Sequence, residues 1–219
     1  MARRTRQAAL ETRAQIIDAA ELCFYEKGVS QTSLAEIAET AGVTRGAIYW
    51  HFNNKGEVVN ALLTRIKTPI QHLDEACREA DEPDPLGRLH ALLTMVFQQA
   101  ECDPSARRIN EILFHKCEYN DQQGDLREHM RVMRLEADEN IIIVLRNAIN
   151  RGQLPANLDV PMAARCLHSF IAGTLDMWLL RPEDYSLAKQ AGRLAQAAID
   201  LVKSSSALLR TDNCSTQPT

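Results

Sequence analysis

Aromatic side chains make up only 5% of this 219-residue chain, and glycine and proline number 9 and 8. With so few turn-formers, and no stretch that alternates apolar and polar residues over strand length, a sandwich or barrel of short strands is excluded. An all-α fold follows. No run approaches the ~18 consecutive apolar residues of a membrane-spanning helix, and the opening MARRTRQAALETR has no apolar core for a secretory signal. The six cysteines (Cys23, Cys77, Cys102, Cys117, Cys166, Cys214) form no Cys-x-x-Cys pair. Free thiols in a reducing cytoplasm are therefore expected. The chain also lacks a Gly-rich phosphate loop, a His-Glu-x-x-His pair and a nucleophile elbow. His115-x-Cys117 and Cys166-x-His168 are the nearest approach to a metal or thiol–imidazole site. Residues two apart on a helix point about 200° away from each other, so neither pair chelates on one face. No catalytic residue, metal or cofactor is expected.

What is present divides by charge. The net charge is −4, but residues 1–67 hold 9 Lys and Arg against 7 Asp and Glu, a net of +2. The remainder holds 16 against 22, a net of −6. A basic end on an acidic body suits a chain that holds one end on phosphate.

The stretch SLAEIAETAGVTRGAIYWHFNNK, residues 33–55, reads as two short helices and a tight turn. Ser33 with Glu36 three residues on is a capping box. Leu34, Ile37, Ala38 and Ala41 share one face, Gly42 is a stop, and Thr44 caps a second helix from Arg45 to about His51. This is helix-turn-helix spacing. Ile48 and Phe52 point inward, leaving Arg45, Gly46, Tyr49 and Trp50 outside. Small Gly46 and Ala47 admit a phosphate or base edge to the helix N-terminus. Arg45 matches the acceptors of guanine, and Tyr49 or His51 a phosphate or thymine methyl. Thr32 and Ser33, just before the first of these helices, serve either as caps or as phosphate ligands. Lys55, in the first turn of the next helix, opposes that helix's dipole and is expected to contact phosphate. Arg3, Arg4 and Arg6, with no acid among residues 1–8, read equally as a solvated tail and as a DNA arm. A helix from about Glu11 to Lys27 packs beneath the pair.

Asn54 and Glu57 open a fourth helix expected to run to about Ala80, with Pro69 imposing either a hinge or a static kink. EPDPLG makes a turn, and further helices follow to about Lys203. The last two are dense in small and apolar residues: Ala163, Leu167, Phe170, Ile171 and Thr174 on one, Leu194, Ala195, Ala198, Ile199 and Val202 on the other. They are expected to form a four-helix dimer interface. Asn110, Asn140, His168, Ala172 and Asp176 sit among apolar neighbours. Each reads as a polar group satisfied in the core, or together with Leu62, Ile66, Leu92, Val96, Phe114, Ile141, Val144, Leu175 and Leu179 as the lining of a small-molecule pocket.

The run TSLAEIAETAGVTRGAIYWHFNNKGEVV resembles the DNA-binding head of TetR-type transcriptional repressors. RRINEILFHKCEY, the GQLP loop and the WLL-x-P segment resemble the body of their AcrR-like and TtgR-like branch. The likeness covers nearly the whole chain. It implies an N-terminal head (1–53), a ligand-binding and dimerisation body (54–204) and a tail (205–219) expected to be disordered, in about nine helices. It further implies a cytoplasmic homodimeric repressor on a palindromic operator of a multidrug efflux operon, released by a hydrophobic drug or phenol. The rival readings are a TetR-type regulator of another pathway with a different small-molecule inducer, and a helical dimer that binds no DNA, the latter opposed by the exposed Arg45, Tyr49 and Lys55.

Overall fold

Apolar residues at helical spacing, with caps and stops between them, form ten α-helices among the described residues. The computed structural model describes residues 2–117 and 124–210, without the side chains of residues 2–5, 124–126 and 129. The helices are α1 (Ala2–Lys27), α2 (Leu34–Thr40), α3 (Arg45–His51), α4 (Lys55–Lys67), α5 (Gln71–Arg78), α6 (Pro85–Cys102), α7 (Pro104–His115), α8 (Gly124–Asn150), α9 (Val160–Leu180) and α10 (Leu187–Ser204). The tenth arises at Pro69: a 3-10 turn, Thr68–Ile70, divides the helix expected to run from Asn54 to Ala80. Beyond α5, Asn147 of α8 donates to the Arg78 and Glu79 carbonyls and so fixes the end of that helix.

Two cores organise the chain. The first gathers Ile16, Ala20 and Phe24 of α1, Ile37 of α2, Ile48 of α3 and the nearby Phe52, all essentially without exposure. Val58, Val59 and Leu62 of α4 and Ile109 and Ile112 of α7 complete it. The N-terminal helices are therefore built onto α4 and α7. Truncating a side chain such as Phe24 to alanine would cost about 3–5 kcal/mol. Helix α1 begins at Ala2 rather than near Glu11, so the basic N-terminal residues continue the helix.

The second core is the body. Helix α6 presents Leu86, Leu89, Leu93, Phe97 and Ala100 to α10, its principal packing partner, which answers with Leu187, Ala191, Ala195, Ala198, Ile199 and Val202. This corrects the expected dimer interface. Ala195, Ala198, Ile199 and Val202, with Ala163 and Leu167 of α9, are buried within one protomer. Small residues at helical spacing let two helices of the same chain approach as readily as two of a dimer. Only the half-buried Phe170, Ile171, Thr174 and Leu194 of that set keep any outward surface.

The chain after α10 differs from expectation as far as it is described. A 3-10 turn spans Ser206–Leu208, Leu208 is buried, and Leu209 bridges Leu158. Arg210 N donates to Asn157 O, and Asp159 N to Leu208 O. An apolar pair in an otherwise polar tail, Leu208 and Leu209, explains why these residues dock. Residues 211–219 lie outside the described ones.

Candidate DNA-binding face and cavity

Helix α2 starts at a complete capping box: Glu36 N donates to Ser33 Oγ at 3.2 Å, and Ser33 N to Glu36 Oε2 at 2.8 Å. The Ser33 N–H, then the Ser33 hydroxyl, which donates to Glu36 Oε2 at 2.9 Å, then Lys27 at 3.1 Å, pull the Glu36 carboxyl down to about 2. Helix α2 closes with Val43 N on Ala38 O and Gly42 N on Glu39 O, and Gly42 takes the φ of +67° that this closure requires. Thr44 then accepts from Ala47 N at 3.1 Å and opens α3. Because Ile48 and Phe52 are anchored inside, Arg45, Gly46, Tyr49 and Trp50 are turned outward, Tyr49 55% and Trp50 73% exposed. The two rings are neighbours in sequence and make one exposed aromatic surface on this helix. Ala47 and His51 sit at the flank, half-buried. His51 packs edge-on against Trp50, and burial, then Arg13, lowers its pKa. Nothing in the protein crowds Gly46, whose added Cβ would meet only Thr44 Oγ1 at 3.8 Å.

Two expected DNA contacts are used internally. Thr32 is buried and donates to Gly28 O at 2.8 Å. Lys55 Nζ donates to Val29 O at 2.8 Å and Ser30 O at 3.1 Å, and burial lowers its pKa. Both tie down the α1–α2 turn, where Gly28 turns with φ +83° and Val29 N reaches Lys116 O at 3.0 Å. Ser33 is exposed, with its hydroxyl bonded to Glu36. Arg6 is exposed on α1; the side chains of Arg3 and Arg4 lie outside the described residues.

A buried ionic joint, not anticipated from the sequence, connects this head to the body. Glu21 of α1, only 3% exposed, accepts from Arg65 of α4 at 3.0 Å and from Ser105 and Arg108 of α7 at 2.6 and 2.7 Å. Asp18 takes the other branch of Arg65. Two carboxylates and two guanidiniums balance, which is what makes burial of Glu21 tolerable. The partners lie 44 to 87 residues away in sequence, so no local pattern could reveal them.

Below the joint lies a half-open cavity of about 510 Å³ between α4, α7, α8 and α9. Leu63, Leu113, Phe114, Met130, Met133, Ala137, Ala172 and Leu175 give it apolar walls. Lys67, Asn110, Arg134, Asp138, Arg165, His168 and Ser169 supply the polar groups. A smaller cavity of about 180 Å³ adjoins it, sharing Lys67 and Asn110 and lined also by Ile66 and Val96. Asn110 is buried and donates to Ala106 O. Of the pocket residues expected from sequence, Asn110, Phe114, His168, Ala172 and Leu175 line the larger cavity, and Ile66 and Val96 the smaller.

The others are elsewhere. Leu62 belongs to the head core; Leu92, Ile141, Val144 and Leu179 belong to the body core. Asp176 bonds His115 at 2.9 Å. Asn140 is half-buried and lines neither cavity. Helical spacing identifies an apolar face without saying whether it meets another helix or a void. The two His–Cys pairs do not converge either: His115 faces Asp176, and His168 Nδ1 faces Asp138.

Comparison with known proteins matches the chain to two family models. Residues 16–62 match the model of bacterial regulatory proteins of the tetR family, and residues 84–204 that of the MAATS-type transcriptional repressor C-terminal region. The chain is 46% identical over 208 residues to the HTH-type transcriptional regulator TtgR of Pseudomonas putida, covering 95% of this chain and 99% of that one. NalD, the secondary repressor of the MexAB-OprM multidrug efflux pump in Pseudomonas aeruginosa, superposes with a TM-score of 0.74. It is 32% identical, with 89% of this chain and 97% of NalD covered. SmeT, the repressor of the Stenotrophomonas maltophilia multidrug efflux pump SmeDEF, superposes in its triclosan complex with a TM-score of 0.78. The identity is 30%, with 95% of this chain and all (100%) of SmeT covered.

Proposed function

The chain belongs to the TetR family of bacterial transcriptional regulators, and from that premise we propose that it is a homodimeric, ligand-responsive repressor of a multidrug efflux operon. The observation that carries this reading is the outward face of α3, where Arg45, Tyr49 and Trp50 flank an uncrowded Gly46. Such a face enters a major groove, with Arg45 on a base edge, the α3 N-terminus and Ser33 beside phosphate, and Arg6 adding attraction from α1. Efflux control is supported by the pump repressors NalD and SmeT among the similar structures. A hydrophobic or phenolic effector is supported by the triclosan bound to SmeT.

The dimer face is the outer side of α9 and α10, where Met162, Met177 and Leu180 are 45–58% exposed beside Phe170, Gly173 and Leu194. Two heads held by such a dimer read two half-sites a helical turn apart. No helix among the described residues is long and apolar enough to cross a membrane, and the protein works in the cytoplasm with its operator.

In the mechanism, effector enters the cavity between α4, α7, α8 and α9. Helix α4 carries Leu63 and Lys67 on the cavity and Arg65 on Glu21. A ligand that favours another position of α4 therefore acts on α1 through the joint and changes the spacing of the heads. The test is fluorescence anisotropy on labelled DNA from the intergenic region beside the gene, at fixed salt, against a scrambled control. Tight binding to that DNA by the parent, and weak binding by Arg45→Ala, is the expected result. Equal binding by the two proteins would remove Arg45 from the recognition face, and no preference over scrambled DNA would refute the repressor reading.

A further inference from the structure

The charge of the cavity runs against that of the body around it. Residues 68–219 carry a net charge of −6, yet the described side chains lining the cavity include Lys67, Arg134 and Arg165 against a single carboxylate, Asp138. That carboxylate is engaged by His168 Nδ1 at 2.5 Å. Among the described residues, neither Lys67 nor Arg165 has a hydrogen-bond or ion-pair partner. The three cations come from three different helices, α4, α8 and α9, and face one apolar chamber walled by Leu113, Phe114, Met133 and Leu175.

We propose that the effector class this cavity selects is an apolar carboxylic acid in its anionic form, its hydrocarbon or aromatic body against α7 and α8 and its carboxylate between Lys67 and Arg165. This rests on the cavity being the effector site proposed above. Both basic groups are exposed at the cavity mouth; a planar carboxylate matches the two-pronged donor geometry of a guanidinium, and charge-assisted bonds are stronger than those of a neutral amide or ester. A cationic compound of the same shape meets repulsion from Lys67 and Arg165, with Asp138, one of whose oxygens bonds His168, as the single carboxylate of the described lining. Lys67 is the last residue of α4, so an anion held there also draws the end of that helix toward α9, on the same helix that carries Arg65 to the joint.

The experiment is isothermal titration calorimetry of the full-length protein, without DNA, using biphenyl-4-carboxylate, biphenyl-4-carboxamide and biphenyl-4-methylammonium. These share one skeleton and differ in charge. The acid is expected to bind about tenfold more tightly than the amide, a difference of ~1.4 kcal/mol, and the ammonium most weakly. In Lys67→Gln/Arg165→Gln the preference of acid over amide should fall to near unity, with operator binding as the check that the variant is folded. Independently of any variant, raising salt from about 50 mM to about 500 mM should shrink the preference in the parent protein. If acid and amide bind alike, if the ammonium binds best, or if the preference survives the double substitution, the charge inference is overturned while the cavity stands. If none of the three binds, the cavity is not the effector site, and the inference falls with it.

Discussion

Arg45 and Lys55 are both basic residues of the head, and their surroundings give them different work. Arg45 points outward from the first turn of α3, so Arg45→Ala should weaken operator binding by about 1–3 kcal/mol if it pairs with a guanine, with the unfolding midpoint unchanged. Lys55 spends two of its protons on the Val29 and Ser30 carbonyls. Lys55→Ala should therefore lower stability by about 1.5–3 kcal/mol in urea unfolding and leave the slope of log affinity against log salt as it was. A slope reduced by about one with stability intact would instead make Lys55 a phosphate contact. The sequence was legible up to a point here. A cation at a helix N-terminus signals a partner outside that helix, but acceptors 25 and 26 residues away look the same on paper as a phosphate. Glu36 was fully legible, since the capping box is local. Its carboxyl is held near 2 from an ordinary 4.5 by Ser33 and then Lys27. The folded value lies below the unfolded one, so this stabilisation is complete above about 4.5 and is lost as pH falls toward 2. Thermal melts across that window should show the parent losing more stability than Glu36→Gln; parallel curves would deny the capping box that role.

Among the elements, α1, α4 and α7 are coupled by Glu21 more firmly than by any sequence-local feature. Removing the carboxylate leaves Arg65 with Asp18 alone and Arg108 without its partner, and with both guanidiniums about a third exposed Glu21→Ala should destabilise the protein by about 1.5–3 kcal/mol. A loss under about 0.5 kcal/mol by denaturant titration would show that the joint is incidental. Helix existence was readable from apolar spacing and from the stop at Gly42, whereas Pro69, read as a hinge or kink within one helix, divides it in two. The division of labour between α9 and α10 was not. Alanine at every fourth position specifies a close helix contact, and within the protomer α6 makes that contact with α10. The cavity was legible only in part for a related reason. Asn110 and His168 were found because a polar residue broke an apolar face, and Phe114 as part of the apolar lining, whereas Lys67, Arg134 and Arg165 carry no local signal and meet only where three helices come together.

For the whole molecule, the account joins a DNA face at one end to a cavity in the body through α4 and the Glu21 joint. Linkage makes the two reciprocal: an effector that weakens operator binding by some factor must itself bind the operator complex more weakly by that factor. The most direct measurement titrates a preformed complex of the full-length protein and its fluorescent operator with a panel of hydrophobic antibiotics, phenols and apolar acids, beside Phe114→Arg, which fills the cavity. The account predicts that at least one compound releases the DNA from the parent, and that the same compound fails to release it from Phe114→Arg while that variant still binds operator. Specific operator binding that no compound reverses, or release that proceeds equally well with the cavity blocked, would contradict it.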